Sequence, residues 1–151
     1  MTTNTIKIVF IITLFIIYYL FRGIYMCPCP YPDKNFCYRA EIYGLQINHL
    51  LFYIIIGYLF PKYFLTWQIA GIFWEIIEML PTYYPKIFLP YIGGCIQMDK
   101  RDSFYVNILD RWMPRSNEHF WHPKVSDILL NIIGFSIGYC IRYYSPSHLI
   151  I

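Results

Sequence analysis

The stretch "EHFWHPKVSDILLNIIGFSIGY", residues 118–139, has the composition of an apolar membrane helix in its second half. Asp127 and Asn131 interrupt that apolar run, and because they are four residues apart they share one face of a helix. An acid and an amide are costly to bury in hydrocarbon unless their polar atoms find partners. We therefore predict a transmembrane helix whose polar face meets other polar groups of the chain.

The composition of the whole chain indicates a membrane protein. Of its 151 residues, 58% are hydrophobic and only 14% are charged, whereas a soluble domain has about 25% charged residues. The net charge of +3 is too small to indicate nucleic-acid binding, and the basic residues are expected to anchor loops at anionic headgroups. The length is typical of a single integral membrane domain, 1–151.

Four apolar runs predict an all-α membrane bundle with about four transmembrane helices, at residues 7–25, 45–60, 63–80 and 124–144. No small-residue cleavage site follows the first run, so we interpret it as a retained anchor. Pro61 and Pro81 are expected to end the second and third helices, and the tight turn at Pro61 predicts an antiparallel hairpin between them. The long loop 81–123 is too broken to span, and we expect an interfacial or re-entrant segment there.

Three of the five cysteines, Cys27, Cys29 and Cys37, lie in the segment "CPCPYPDKNFC". This segment resembles a zinc site only weakly, because no second Cys or His pair follows at the usual spacing. Disulfides would form if the loop were lumenal. We expect free thiols in this Pro-rich loop.

Alternating helices bring several polar residues to one side of the membrane. His49 lies near the start of the second predicted helix, and Asp127 near the start of the fourth. Glu75 and Glu78 lie near the end of the third, so all four face the same side. Most of the twelve Lys and Arg residues fall on the loops of that side, and the positive-inside rule therefore favours a cytoplasmic site.

Glu75 and Glu78 project from one face of an otherwise apolar helix, because they are three residues apart. A charge at the centre of a membrane helix costs roughly 2.5–3.5 kcal/mol, and the two carboxylates repel each other. A bound divalent cation would compensate, since such ions take carboxylate, amide and carbonyl oxygens. Glu118, Asp127 and the Asn131 amide offer further oxygens. The alternative is that the glutamates hydrate at the headgroup edge.

His49 is a candidate general base, because an imidazole titrates near neutral pH; the alternative is an ordinary interfacial histidine. The two histidines of "EHFWHP", residues 118–123, could bind a metal, although an interfacial turn explains them equally well. Trp121 is expected in the aromatic belt at the headgroups. Pro123 fits the first turn of the fourth helix.

The order and spacing of these residues, over about 47–138, resemble the phosphatidylserine synthases of the base-exchange type. That family carries a His at the start of one span and W-E-x-x-E late in the next. An E-x-W-W-D segment then leads into a helix with D-x-x-x-x-N. The matching positions here are His49, Trp74, Glu75, Glu78, Glu118, Phe120 with Trp121, Asp127, Asn131 and, in the Gly-rich stretch that follows, Gly134.

The chain departs from the family pattern at several points. His122 stands where the family has Asp, which removes one metal ligand. Asn131 comes one residue early, yet it still shares the helical face of Asp127. The segment between Glu78 and Glu118 is longer than in the family, and the whole chain is shorter than the eukaryotic members, whose extra spans are missing.

The resemblance implies a calcium-dependent enzyme that exchanges the headgroup of phosphatidylcholine or phosphatidylethanolamine for L-serine. The serine hydroxyl would attack the lipid phosphorus. The implied roles are a catalytic base at His49, calcium ligands at Glu75, Glu78, Glu118 and Asp127, and substrate contacts at Asn131, His122 and Trp121. Membrane phospholipids and L-serine would be its partners, the endoplasmic reticulum or another internal membrane its location, and a homodimer is compatible with all of this.

Three other functions fit the same residues. A non-catalytic membrane scaffold would keep the family fold without the reaction, in line with the missing spans and His122. An ion- or proton-conducting protein would use the carboxylates as a relay. A small VanZ-like membrane protein also carries scattered acids, and Glu75 and Asp127 would then lie more than a headgroup width apart.

Overall fold

A computed structural model describes residues 3–29, 41–95, 108–110, 121 and 123–145. This part of the chain is mostly helical. Its helices are α1 (Thr3–Phe21), α2 (Ile47–Leu59), α3 (Phe64–Tyr83), α4 (Pro85–Ile92) and α5 (Val125–Tyr144). A π-helical turn at Arg22–Met26 extends α1, and 3-10 turns lie at Pro61–Tyr63 and Ile108–Asp110.

A short antiparallel hairpin precedes α2 and pairs β1 (Glu41–Ile42) with β2 (Leu45–Gln46). Its two turn residues, Tyr43 and Gly44, have positive φ angles of 52° and 77°, as tight hairpin turns require. The Lys124 ammonium donates to the carbonyl oxygen of Gly44 at 3.0 Å. The hairpin is therefore held against the start of α5.

Two helical segments are long and apolar enough to cross a membrane, Ile6–Met26 and Val125–Tyr144. They correspond to the first and fourth predicted spans. Large apolar side chains such as Phe10, Ile17 and Ile133 are exposed on their outer faces, where a membrane helix contacts lipid. These features indicate a membrane protein.

The second and third predicted spans differ from the prediction. α2 has 13 residues and is about 20 Å long, whereas the hydrocarbon core is about 30 Å thick. The chain bends by 116° between α2 and the segment Pro61–Tyr83, short of the reversal in an antiparallel hairpin. By length and composition the two together form one broken span or a re-entrant segment. A four-span bundle is thus not confirmed. Gln68, Glu75 and Glu78 make α3 less hydrophobic than the two segments that qualify as spans.

The predicted loop 81–123 begins with helix. Pro81 lies inside α3, which continues to Tyr83. Pro81 has no N–H for the helical hydrogen bond to residue 77, yet the helix continues past it, and the Thr82 hydroxyl donates to the Glu78 carbonyl oxygen at 2.9 Å in the next position. α4 follows almost at once. The prediction that Pro81 ends the third helix is therefore wrong.

Glycines allow α2 and α5 to pack backbone against backbone. A Cβ at Gly134 would lie 2.5 Å from the carbonyl oxygen of Leu50, and a Cβ at Gly138 would strike the carbonyl oxygen of Ile54. These two contacts show that the helices run in the same direction. Small residues at such contacts are typical of membrane helices, because they let the backbones approach closely. The first turns of α2 and α5 consequently lie side by side.

Disulfides replace the predicted free thiols at one end of the bundle. Cys29 and Cys95 are bonded across 66 positions of sequence, with their Cα atoms 5.3 Å apart. Cys27 is also disulfide-bonded, whereas Cys140 is a free, exposed thiol. The prediction of free thiols is therefore wrong for Cys27 and Cys29. Cys29 reaches Cys95 because α4 returns to the end of α1, a contact that spacing does not show. Cys37 lies outside the described residues.

Candidate metal centre

His49 lies in the first turn of α2 and is buried. Its Nδ1 is 3.0 Å from Oδ1 of Asn131. An amide oxygen only accepts hydrogen bonds, so this contact assigns the proton of the neutral ring to Nδ1 and leaves a lone pair on Nε2. Nε2 faces Asp127 and lies 3.7 Å from its Oδ2.

Asp127 and Asn131 form the polar face of α5. They lie one turn apart, with exposed fractions of 0% and 1%. The Asn131 amide reaches across to His49 on α2, and its Nδ2 lies against the backbone of α3, where a Cβ at Gly71 would be 2.6 Å away. The amide is thus fixed between three helices.

Two carboxylates from other elements hold the start of α5. Ser126 donates through its N–H to Oδ1 of Asp110 at 2.9 Å and through its hydroxyl to Oδ2 at 2.6 Å. The N–H of Lys124 donates to Oε2 of Glu75 at 2.9 Å. Carboxylates are favourable at this position because the N–H groups of a first turn lack helical partners. Pro123 precedes the helix and does not lie in its first turn, contrary to the prediction.

Glu75 projects from α3 toward this end of α5 with an exposed fraction of 3%. While Oε2 accepts from Lys124, Oε1 has no hydrogen-bond partner among the residues that the structure describes. A buried carboxylate oxygen without a partner is costly. It is also suited to binding a cation.

His49, Glu75 and Asp127 meet at one point. Each offers a ligand atom, and the three atoms lie within 4.8 Å of one another, although they come from three different helices. The wide separation of Glu75 and Asp127 that a VanZ-like protein would show is therefore absent. With both groups ionised, the two buried carboxylates would place two negative charges beside the imidazole, and a divalent cation bound there would balance them.

The other predicted site residues lie apart from this point or outside the described residues. Glu78 is buried on α3, one turn beyond Glu75, and does not belong to the group of three. Glu118 and His122 fall outside the described residues.

Trp121 is not a lipid-facing belt residue. It is 3% exposed and packs with Tyr19 and Leu89, and its indole N–H donates to the Gly93 carbonyl oxygen at 2.9 Å. Its own carbonyl oxygen accepts from the Thr82 hydroxyl at 2.9 Å. Trp121 is therefore packed inside the protein against α1 and α4, and the predicted exposed position in an aromatic belt is wrong.

A cavity of about 350 Å³ adjoins the site. His49 and Asn131 belong to its lining, and the rest is mostly apolar and aromatic. The apolar lining comes from α1, α2 and α3 and includes Ile12, Phe15, Phe52, Ile69, Phe73 and Ile77. The same cavity is thus lined by polar residues of the site and by a largely apolar wall.

Sequence reasoning missed the residues that hold the site in place. The Asp110 carboxylate caps the start of α5, the backbone N–H of Lys124 donates to Glu75, and Gly71 lets Asn131 approach the backbone of α3 closely. Ser126 at the head of an apolar run was a signal for a capped helix start. Nothing local indicates that its partner is Asp110.

The chain matches no protein-family model, no curated protein and no solved structure.

Proposed function

We propose that this chain is an integral membrane enzyme that exchanges phospholipid headgroups at the site between α2, α3 and α5. The reaction would convert phosphatidylethanolamine or phosphatidylcholine and L-serine into phosphatidylserine. One observation supports it above the others. Two residues of the polar site, His49 and Asn131, line the same cavity as the apolar side chains of three helices.

A phospholipid has the same division into a polar and an apolar part. Its acyl chains would occupy the apolar part of the cavity, where burial of hydrocarbon is favourable. Its phosphate would then lie near His49 and Asn131. A soluble substrate would have no use for so much apolar lining, and this favours a membrane lipid.

The reaction needs a group that binds the phosphate and a group that receives the proton of the incoming hydroxyl. A divalent cation, when bound, would offset the charge that develops on the phosphate oxygens. Glu75 and Asp127 offer carboxylate oxygens for it, while Asn131 orients the His49 ring. His49 Nε2 has two roles open to it, as base toward the hydroxyl or as ligand to the ion. The metal content of a His49→Ala protein distinguishes them, because loss of a base leaves the ion bound.

Calcium, the ion that the resemblance implies, does not fit the described donors well. Calcium takes six to eight oxygen ligands, whereas one of the three donors here is an imidazole nitrogen. The Asn131 amide oxygen already accepts from His49. The proposal therefore requires a divalent cation but assigns no step to calcium.

In its full form, the proposal places the enzyme in the endoplasmic reticulum or another internal membrane, as a bundle in which α2 and α3 complete four spans. A homodimer is compatible with it. None of these details enters the test of the reaction.

The test is purified protein in detergent with labelled serine and either phospholipid, with divalent cations supplied or chelated. We expect cation-dependent labelling of lipid that is lost in Asp127→Asn and kept in Ser136→Ala. Ser136 is an exposed residue of the same helix, so it controls for substitution in α5. Labelled lipid absent with every cation would contradict the proposal.

A non-catalytic scaffold is the second candidate, and the complete burial of Asp127 favours it. In a scaffold the ion would only tie α2, α3 and α5 together. Asp127→Asn would then lower the melting temperature in detergent, and the wild-type protein would label no lipid.

A further inference from the structure

We infer that this site binds a first-row transition metal of the zinc type, with His49 Nε2, one Glu75 oxygen and one Asp127 oxygen as ligands. The inference rests on the metal site of the proposed function and not on its exchange reaction. It assigns His49 to the ion, and a base for the incoming hydroxyl would then have to be another group.

The orientation of His49 is that of a metal ligand. A histidine that binds a metal through one ring nitrogen usually donates the other N–H to a carbonyl or carboxylate oxygen, which fixes its tautomer. Nδ1 of His49 has such a partner in Asn131 at 3.0 Å. The lone pair on Nε2 is therefore directed at the carboxylates and not at solvent.

The distance between His49 and Asp127 fits ligands of a shared ion. Nε2 and Oδ2 are 3.7 Å apart, which is too far for a good hydrogen bond. Two donors each about 2.0–2.1 Å from a tetrahedral zinc ion lie a little over 3 Å apart, so a small inward movement would bring both into contact with the metal.

Glu75 provides the third donor independently of that pair. Its Oε2 is held by the backbone N–H of Lys124, so the carboxylate is oriented, and Oε1 is the buried oxygen without a hydrogen-bond partner in the described part of the chain. An oriented carboxylate with one such oxygen is suited to bind through that single atom.

The type of donor selects the class of metal. Imidazole nitrogen suits zinc, iron, nickel and copper, whereas calcium and magnesium prefer oxygen alone. Three protein ligands leave a fourth position open, which is the arrangement of a catalytic zinc site. Of the three donors, His49 lines the cavity, whereas Glu75 and Asp127 are not among its lining residues, so the ion would lie beside the cavity.

The experiment is a metal titration of the full chain in detergent, after removal of any affinity tag and treatment with chelator. Cys140 is replaced by serine in every protein, because an exposed thiol binds zinc by itself. Zn²⁺, Co²⁺, Ca²⁺ and Mg²⁺ are each titrated in competition with a chromogenic chelator. We expect one Zn²⁺ or Co²⁺ per chain, with affinity at least 100-fold higher than for Ca²⁺, and a visible spectrum of tetrahedral Co²⁺.

The variants assign the ligands. His49→Ala, Glu75→Gln and Asp127→Asn should each abolish the Co²⁺ spectrum, while Ser136→Ala should keep it; circular dichroism shows whether each variant has folded. Metal binding is tested first on the protein with its three proposed ligands intact, so a variant that misfolds does not affect that result. Tighter binding of Ca²⁺ than of Zn²⁺, or absence of any bound metal, would overturn it. Zinc binding without serine exchange would refute the proposed reaction alone, and calcium-supported exchange without zinc binding would refute this inference alone.

Discussion

Replacing Asn131 with alanine removes the acceptor that orients His49. The Nδ1–H then has no protein partner at 3.0 Å, and a buried donor without a partner costs about 1–3 kcal/mol. The ring also becomes free to change tautomer. Loss of such an outer partner weakens metal binding about 10–100-fold, equivalent to about 1.4–2.8 kcal/mol. We therefore expect Asn131→Ala to raise the Kd for Zn²⁺ by that factor.

The assay is competition with a chromogenic chelator in detergent. Ser136→Ala on the exposed side of α5 is the matched control, and Asn131→Asp, which keeps an acceptor oxygen, should retain more affinity than Asn131→Ala. If Asn131→Ala binds Zn²⁺ as tightly as the unchanged chain, His49 is not oriented by the amide. The reasoning about its tautomer would then be refuted.

Three further changes test the frame around the site. Gly138→Val places a side chain against the Ile54 carbonyl. Overpacking of this kind costs about 1–3 kcal/mol, so the melting temperature in detergent should fall. An unchanged melting temperature would contradict the close packing of α2 on α5. Asp110→Ala removes both hydrogen bonds to Ser126 and should cost about 1–2 kcal/mol in the same assay, whereas no loss would show that the cap is dispensable. The disulfide lies at the same end of the bundle as the site, and disulfides persist in oxidising compartments. That end should therefore face away from the cytosol, and the other end of α5 should face it. A cysteine introduced there by Ser145→Cys should react with an impermeant maleimide added on the cytosolic side. Labelling from the opposite side would contradict this orientation and support the cytoplasmic site that the distribution of basic residues favours.

The apolar runs and the polar positions within them predicted much of the arrangement. The four-residue spacing of Asp127 and Asn131 predicted a shared helical face, and both are buried on one face of α5. Alternation along the chain predicted that His49, Glu75, Glu78 and Asp127 would lie at one level. The donor atoms of His49, Glu75 and Asp127 lie within 4.8 Å of one another, whereas Glu78 does not belong to that group. These features depend on helical periodicity, which is local.

The remaining features depend on contacts between distant segments. Pro61 marks the break after α2, but the 116° bend depends on how α3 packs. Trp121 had the position of a belt residue, and its burial follows from α4 folding back so that Gly93 accepts its N–H. The disulfide between Cys29 and Cys95 has the same cause. Residue spacing along the sequence does not predict such contacts between distant segments.

The most direct test of the central claim is a crystal structure of the chain equilibrated with Zn²⁺, measured on both sides of the zinc absorption edge. An ion held by His49, Glu75 and Asp127 predicts one anomalous peak at the meeting point of α2, α3 and α5, about 2.0–2.2 Å from the three donor atoms. A peak elsewhere, or an empty site in which Asp127 pairs directly with the His49 ring, would contradict the account.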